Sequence, residues 1–261
     1  MKKSIVCFLL LSVFTLSIFP CSIFKYVSGK SIYFCGNEDW RATDPAYTVI
    51  PSSKDSYGVL LLGWKSYLPK YPQAGVNSEG LCFDWASVSP QEYIADSTKE
   101  NLSVDDTLLI LQKCSNVSEV LSFLEHYTFS NLASEHLMFA DKSGSSCIIE
   151  FTKGTRKIIS SSENQYITNF NLTDKETGWY LCDRFVKLES KLHQTNTDYS
   201  RFDLEQILYS VHSEGAFPTV YSYIIDLTSM KIYLYNDYNF ISFKSYKIED
   251  LVKKRITMPI E

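Results

Sequence analysis

Short strand-like runs, punctuated by turn residues and interrupted twice by helical periodicity, restrict the architectures open to this chain. Residues 31–35, 57–62 and 81–85 are runs of this kind, bounded by Ser28-Gly29 and by Gly75 with Asn77 nearby. The period then lengthens. Leu108, Leu109, Leu111, Val117, Val120, Leu121 and Leu124 fit two short helices around Asn116. Ser103 reads as the cap of the first, with Asp105 and Asp106 in its opening turn. Strands return at 136–140 and 146–151, joined by the turn Asp141-Lys142-Ser143-Gly144, and continue at 158–160 and 165–168. Residues 179–192 and 202–211 read as helices, and 220–226 with 231–235 as a closing hairpin. Clustered strands with segregated helices predict an α+β fold, not an alternating parallel one. No repeat, low-complexity tract or Pro/Gly-rich linker divides the 261 residues, so residues 21–261 read as one domain.

The first twenty residues read differently. Lys2 and Lys3 precede a mostly apolar run, residues 5–19, broken by Ser12, Thr15 and Ser17. That run is short for a membrane-spanning helix, which needs about 20 apolar residues, and fits the apolar stretch of an export signal. Residues 1–20 are therefore expected to be a signal peptide or propeptide, and the remainder to act outside the cytoplasm: secreted, periplasmic or lumenal. A cut directly before Cys21 would have Ile18 and Pro20 at the positions where signal peptidase wants small residues. A cut after Gly29 suits that enzyme better and would discard Cys21.

Composition narrows the function. The net charge is -5, with no basic stretch, which argues against a nucleic-acid partner. Eighteen Tyr and 16 Phe favour a strand-rich core or an aromatic pocket. Beyond Cys7 in the leader lie Cys21, Cys35, Cys82, Cys114, Cys147 and Cys182, an even number that would allow disulfides in an exported protein. Several sit in apolar stretches, where burial as small hydrophobes is the better reading. No CxxC pair and no zinc-like spacing of Cys and His occurs, and no metal or cofactor is called for. HExxH, GxSxG, the P-loop and GxGxxG are absent. His126, His136, His193 and His212 stand outside any triad context and read as surface or structural residues.

What remains is a constellation in a fixed order: Cys21-Ser22-Ile23-Phe24, Gly36-Asn37-Glu38-Asp39-Trp40, Ala74-Gly75-Val76-Asn77-Ser78-Glu79-Gly80-Leu81, Tyr166-Ile167-Thr168-Asn169-Phe170-Asn171 and Asp183-Arg184-Phe185-Val186-Lys187. Each motif alone is weak, but their joint order and spacing are specific. The order resembles the choloylglycine hydrolase and penicillin V acylase family of linear-amide hydrolases, with the related acyltransferases of penicillin biosynthesis, from Cys21 to about Tyr235.

The resemblance implies a four-layer αββα N-terminal-nucleophile hydrolase sandwich. It makes Cys21 the nucleophile, Asp39 the carboxylate that holds the N-terminal amine, Asn169 an oxyanion donor and Arg184 the active-site arginine. A second oxyanion donor is expected near residues 85–87. The chemistry suits these types. A thiol is a weak nucleophile until it loses its proton, and a free α-amine, with a pKa of about 7.7–8.0, can take that proton. Asp39 would orient the ammonium, and Arg184 would lower the thiol pKa.

The substrate implied is a small N-acyl amide with an apolar acyl group. Acyl transfer to another amine is a close variant, and a non-catalytic binding protein on the same fold, tethered to a membrane by an uncleaved N-terminus, is the contrasting one. A homo-oligomer is compatible with the sequence. Two departures stand out. Gly36 occupies the position where bile-salt hydrolysing relatives carry Arg, and Asn77-Ser78-Glu79-Gly80 replaces the usual Asn-Glu-Lys-Gly. Three N-x-S/T sites, at Asn101, Asn116 and Asn171, would accept glycans in a eukaryotic secretory route.

Overall fold

Alternation of inward and outward side chains along short antiparallel strands builds two sheets that face one another. The computed structural model describes residues 21–29, 31–41, 44–94, 96–102, 107–129, 133–174, 182–193 and 197–261. The expected leader (1–20), the cap at Ser103 and the helical residues 179–181 lie outside them.

One sheet contains β1 (Ser22–Ser28), β2 (Ser31–Asp39), β12 (Gln165–Ile167), β13 (Thr219–Asp226), β14 (Lys231–Asn236) and β15 (Lys244–Lys247), in the order β12-β1-β2-β13-β14-β15. The other contains β3 (Pro45–Ile50), β4 (Val59–Trp64), β5 (Ala74–Asn77), β6 (Cys82–Ser87), β9 (Glu135–Ala140), β10 (Ser146–Thr152), β11 (Thr155–Ser161) and β16 (Ile256–Pro259), in the order β11-β10-β9-β6-β5-β4-β3-β16. Two short strands, β7 (Glu100–Leu102) and β8 (Tyr127–Phe129), pair in parallel apart from both.

Three apolar layers hold the stack. Ile23, Phe34, Tyr223 and Ile225 of the first sheet meet Val49, Leu60, Leu62, Met138 and Ile148 of the second. On the outer face of the first sheet, α3 (Asp183–Leu192) and α4 (Arg201–Ser210) bury Leu188, Leu204 and Leu208 against Phe24, Tyr26 and Cys35. On the outer face of the second, α1 (Thr107–Lys113) and α2 (Val117–His126) bury Leu111, Val120 and Leu124 against Leu61, Phe83 and Phe139. The result is helix, sheet, sheet, helix, the αββα order expected from the sequence. Each fully buried aliphatic or aromatic side chain in these layers contributes roughly 1.5–3 kcal/mol of transfer free energy.

Polar side chains fix the turns. Asp141 accepts from the Ser143 amide at 2.8 Å inside the β9–β10 turn, and its other oxygen accepts from the Val117 amide at 2.8 Å, tying the start of α2 to that hairpin. Asn116 caps α2, accepting from the Glu119 amide, and Ser200 with Asp203 forms a capping box on α4. Lys25 is buried between the sheets and donates to the carbonyls of Gly144 (2.6 Å) and Ser161 (3.2 Å). Burial brings its pKa down to about 8 against the pull of Asp141.

Several sequence expectations change. Gly75, read as a turn residue, lies inside β5. A Cβ there would sit 2.9 Å from the Leu60 carbonyl, so the close approach of β4 requires glycine. β1, β3, β15 and β16 were not read from the sequence as strands. All six described cysteines are free thiols, and five are buried, Cys147 among them as expected. Asn171 is 3% exposed and donates to the Phe151 carbonyl at 2.6 Å, so this N-x-T site presents no acceptor to a glycan.

Asn77 shows how much one buried amide can hold. Its Nδ2 donates to the carbonyls of Leu111 (2.8 Å) and Cys114 (2.7 Å) at the end of α1, and its Oδ1 accepts from the amides of Glu79 (3.0 Å) and Leu81 (2.9 Å). Asn77→Ala removes four bonds and orphans buried backbone groups, so it should cost at least about 3 kcal/mol. Urea denaturation would check this. A loss below about 1 kcal/mol would show that water replaces the amide.

Candidate active site

Strand register brings the candidate residues together. β1 lies between β12 and β2, with Ile23 opposite Ile167 and Ser22 opposite Asn37. Extending these registers to Cys21 sets Asn169 on one side of it and Glu38 on the other. The Cys21 backbone N–H donates to Asn169 Oδ1 at 2.9 Å. Arg184, in the first turn of α3, donates through Nη1 to the Cys21 carbonyl and to Ser22 Oγ (2.9 Å), and through Nη2 to Asn169 Oδ1 (2.8 Å). Phe185 anchors that turn against Tyr166 and Phe170, with ring centroids 4.9 and 4.8 Å away. Asn169 Nδ2 reaches the other sheet, donating to the Ser87 carbonyl at 3.0 Å.

The segment carrying Asn169 is held from below. His136 Nε2 lies 2.7 Å from the Thr168 carbonyl, so that nitrogen carries the proton. Glu150 accepts from the amides of Leu172 (2.9 Å) and Thr173 (2.8 Å) and from the Thr173 hydroxyl, and lies 3.8 Å from His136 Nδ1. Burial works to raise the Glu150 pKa, but the nearby His136 ring and the Thr173 bonds outweigh it and keep the carboxyl below its usual range. His136 is fully buried and belongs to this scaffold, in line with its reading as a structural residue.

Asp39 ends β2 beside an irregularity in the β2–β13 pairing between Thr219 and Tyr221. Its Oδ1 accepts from the Thr219 hydroxyl, while the buried Oδ2 has no donor among the described residues. Burial pushes the carboxyl up, opposed by the Arg184 charge and the Thr219 bond. The Asp39 amide donates to Cys21 Sγ, so the residue touches the thiol through its backbone.

Two further acids lie behind the thiol. Glu38 Oε2 is 3.8 Å from Cys21 Sγ, and the Glu38 carboxyl meets that of Asp84 from the opposite sheet. Asp84 also accepts from the Tyr223 hydroxyl and the Trp85 amide. Two carboxyls in contact share a bond only through a proton. Burial and their mutual charge push Glu38 well up, and burial takes Asp84 to about 7 despite the bonds it accepts. The Cys21 thiol is raised well above its ordinary value, first by burial and then by Glu38 and Asp39. The guanidinium of Arg184, expected to lower it, is bonded to the Cys21 carbonyl, Ser22 and Asn169, and burial with the two acids sets the net direction.

Tyr223 accounts for Gly36. A Cβ at Gly36 would stand 2.6 Å from the Tyr223 ring. The ring fills the space into which an arginine at position 36 would extend, and its hydroxyl serves Asp84.

Cys21 and Asp39 open onto a cavity of about 350 Å³ whose wall includes Trp40, Trp64, Trp85 and Ser87. Glu135 also lines it. Burial pushes its carboxyl up to about 7, and Oε2 has no partner among the described residues. A larger groove of about 920 Å³ along α4, lined by Phe202, Tyr209 and Ile241, has no cysteine among its described lining residues. Within 85–87, the Trp85 amide and indole are engaged by Asp84 and by the Pro72 carbonyl (3.0 Å), and Ser87 lines the cavity. The sequence reading passed over Glu38, Asp84 and Glu135. An acid within the apolar run 81–85 was the available signal for Asp84.

The profile of a family described as acyl-coenzyme A:6-aminopenicillanic acid acyl-transferase matches residues 29–239. No curated protein sequence matches the chain. Among solved structures, a variant of conjugated bile acid hydrolase from Clostridium perfringens superposes with a TM-score of 0.69 at 17% identity, over 92% of this chain and 96% of that one. Penicillin V acylase from Agrobacterium tumefaciens gives 0.67 at 14% identity, over 86% and 84%. These likenesses establish the shared fold.

The buried acids predict a pH dependence of stability. A carboxyl whose folded pKa is raised holds a proton that the unfolded chain releases above about 4. Its contribution is complete below that pH and is lost as pH rises through the folded value, about 7 for Asp84. The melting temperature should therefore fall between about pH 4 and about pH 7. Asp84→Asn should flatten the slope in part, since Glu135 titrates in the same sense. Thermal denaturation at three pH values decides it, and an unchanged slope in the variant would reject the buried-proton account.

Proposed function

The chain belongs to the acyl-coenzyme A:6-aminopenicillanic acid acyl-transferase family, and from that we propose that it is a cysteine N-terminal-nucleophile amidase, cleaving the linear amide bond of an N-acyl compound through an acyl-enzyme. One observation carries the reading: Cys21 Sγ and its own backbone nitrogen lie together at a cavity, with Asn169 on the nitrogen and Asp39 on the sulfur. Residues 1–20 would be the leader whose removal frees that nitrogen, residues 21–261 the hydrolase domain, and the site of action extracytoplasmic.

The free amine supplies what the thiol lacks. Surrounded by carboxyls, Cys21 stays protonated at rest. An α-amine titrating near 8 takes the thiol proton. Asn169 Oδ1 keeps hold of the nitrogen, and Asp39 Oδ2, without a donor at present, accepts from the new ammonium. The thiolate attacks the substrate carbonyl. Asn169 Nδ2, once released from the Ser87 carbonyl, would meet the oxyanion, with Ser87 of the cavity wall as the second donor. The ammonium returns its proton to the departing amine, and water takes the acyl group. Arg184 positions Cys21 and Asn169. The family description favours a second reading, in which an amine intercepts the same acyl-enzyme.

Processing and turnover test this. The mature protein should begin at Cys21 by mass spectrometry, and a start at Ser22 or later, or an intact Met1, would rule the mechanism out. If the thiol makes its own cut, Cys21→Ala should retain residues upstream of 21 that the wild type loses. With a panel of N-acyl amides, Cys21→Ser and Asp39→Asn should lose most activity while remaining folded, and Asn169→Ala should lower kcat by about 10²–10³-fold. Full activity in Cys21→Ala would end the proposal.

A further inference from the structure

The cavity beside Cys21 has a composition that the chemistry at the sulfur does not require. Five aromatic side chains line it: Trp40, Trp64, Tyr67, Tyr71 and Trp85. Three of the protein's four tryptophans are among them. Among the described residues, the charged side chains on the wall are both acidic, Asp39 and Glu135. The proposed mechanism reserves Asp39 Oδ2 for the Cys21 amine. Glu135 has no such role, and its buried Oε2 meets no donor among the described residues. The described cations nearby do not answer it. Arg184 is bonded to Cys21, Ser22 and Asn169, and Lys70 stands 4.8 Å from the Tyr71 ring centroid without belonging to the cavity wall.

Aromatic faces carry negative potential and attract cations, most strongly where water is excluded. An acid whose buried Oε2 meets no donor among the described residues adds to that attraction when ionised and repels an anion. We infer that this cavity recognises an ammonium group, so that the substrate is an N-acyl compound carrying an alkylammonium on its acyl or amine portion. The inference rests on the amidase reading only in calling the occupant substrate. The acid and the rings together favour a cation over a neutral apolar group, for which the rings alone would suffice. A bound ammonium would also give the Glu135 carboxylate the partner it lacks.

Binding can be measured without catalysis. Choline and its uncharged carbon counterpart, 3,3-dimethylbutan-1-ol, have nearly the same shape. Each would be titrated into the mature wild type and Cys21→Ala, following tryptophan fluorescence, and in the wild type also the protection of Cys21 from iodoacetamide. Choline should bind about 10-fold more tightly than the alcohol. Glu135→Gln should bring the two affinities together by weakening choline alone, and Tyr71→Leu, at a half-exposed position that tolerates change, should weaken choline more than the alcohol. Equal affinity for the two probes, no binding of either, or a preference unchanged by both substitutions would overturn the inference. An active amidase with no preference for the cation would sink this inference and leave the amidase reading standing. A clear preference in a protein that cleaves no amide would do the reverse.

Discussion

Everything at the site depends on the antiparallel register of β1 between its two neighbours. Because side chains alternate, Cys21, Ile23 and Lys25 point between the sheets while Ser22, Phe24 and Tyr26 face the helices. A slip of one residue would turn the thiol outward and drive Ser22 into the core. The same register sets Asn169 and Glu38 on either side of Cys21. Lys25 fastens it, since its ammonium reaches two carbonyls of the opposite sheet only when β1 sits in this alignment. Arg184 then closes the end, where the strand would otherwise fray, by binding the Cys21 carbonyl.

Much of this was legible in the sequence, for identifiable reasons. The helices around Asn116 and the hairpins at Asp141 and after Asp226 announced themselves through periodicity and turn chemistry. Cys21, Asn169 and Arg184 were singled out by order along the chain and prove to be joined by direct hydrogen bonds. Their partners were not legible. The contact of Glu38 with Asp84 joins residues of different sheets, and no local pattern encodes which strand crosses over which. β5 was hidden because Gly75 reads as a turn unless the approach of β4 is known. The bonds of Arg184 were hidden for a related reason: chain position names a neighbour, but direction decides which atoms it meets.

The electrostatics divide the site into two regions. Around Asn169 the side-chain amide is held by Arg184, and His136 and Glu150 fix the backbone beneath it. Around the sulfur, burial and carboxyls oppose ionisation. On the proposed mechanism such a thiol waits for a base on its own residue, which would couple reactivity to the covalent state of the Cys21 nitrogen that Asn169 holds.

Gly36 and Tyr223 illustrate how such a site resists gradual alteration. The tyrosine ring leaves no room for any side chain at position 36, and its hydroxyl satisfies a buried acid on the facing sheet. Enlarging position 36 alone produces a clash, and shrinking position 223 alone opens a void and strands Asp84. Neither single step is neutral, so a lineage moving between glycine and arginine at position 36 must cross a valley or change several residues at once. The pair is a mutational ratchet: once the ring is in place, the ancestry of the pocket becomes hard to reverse.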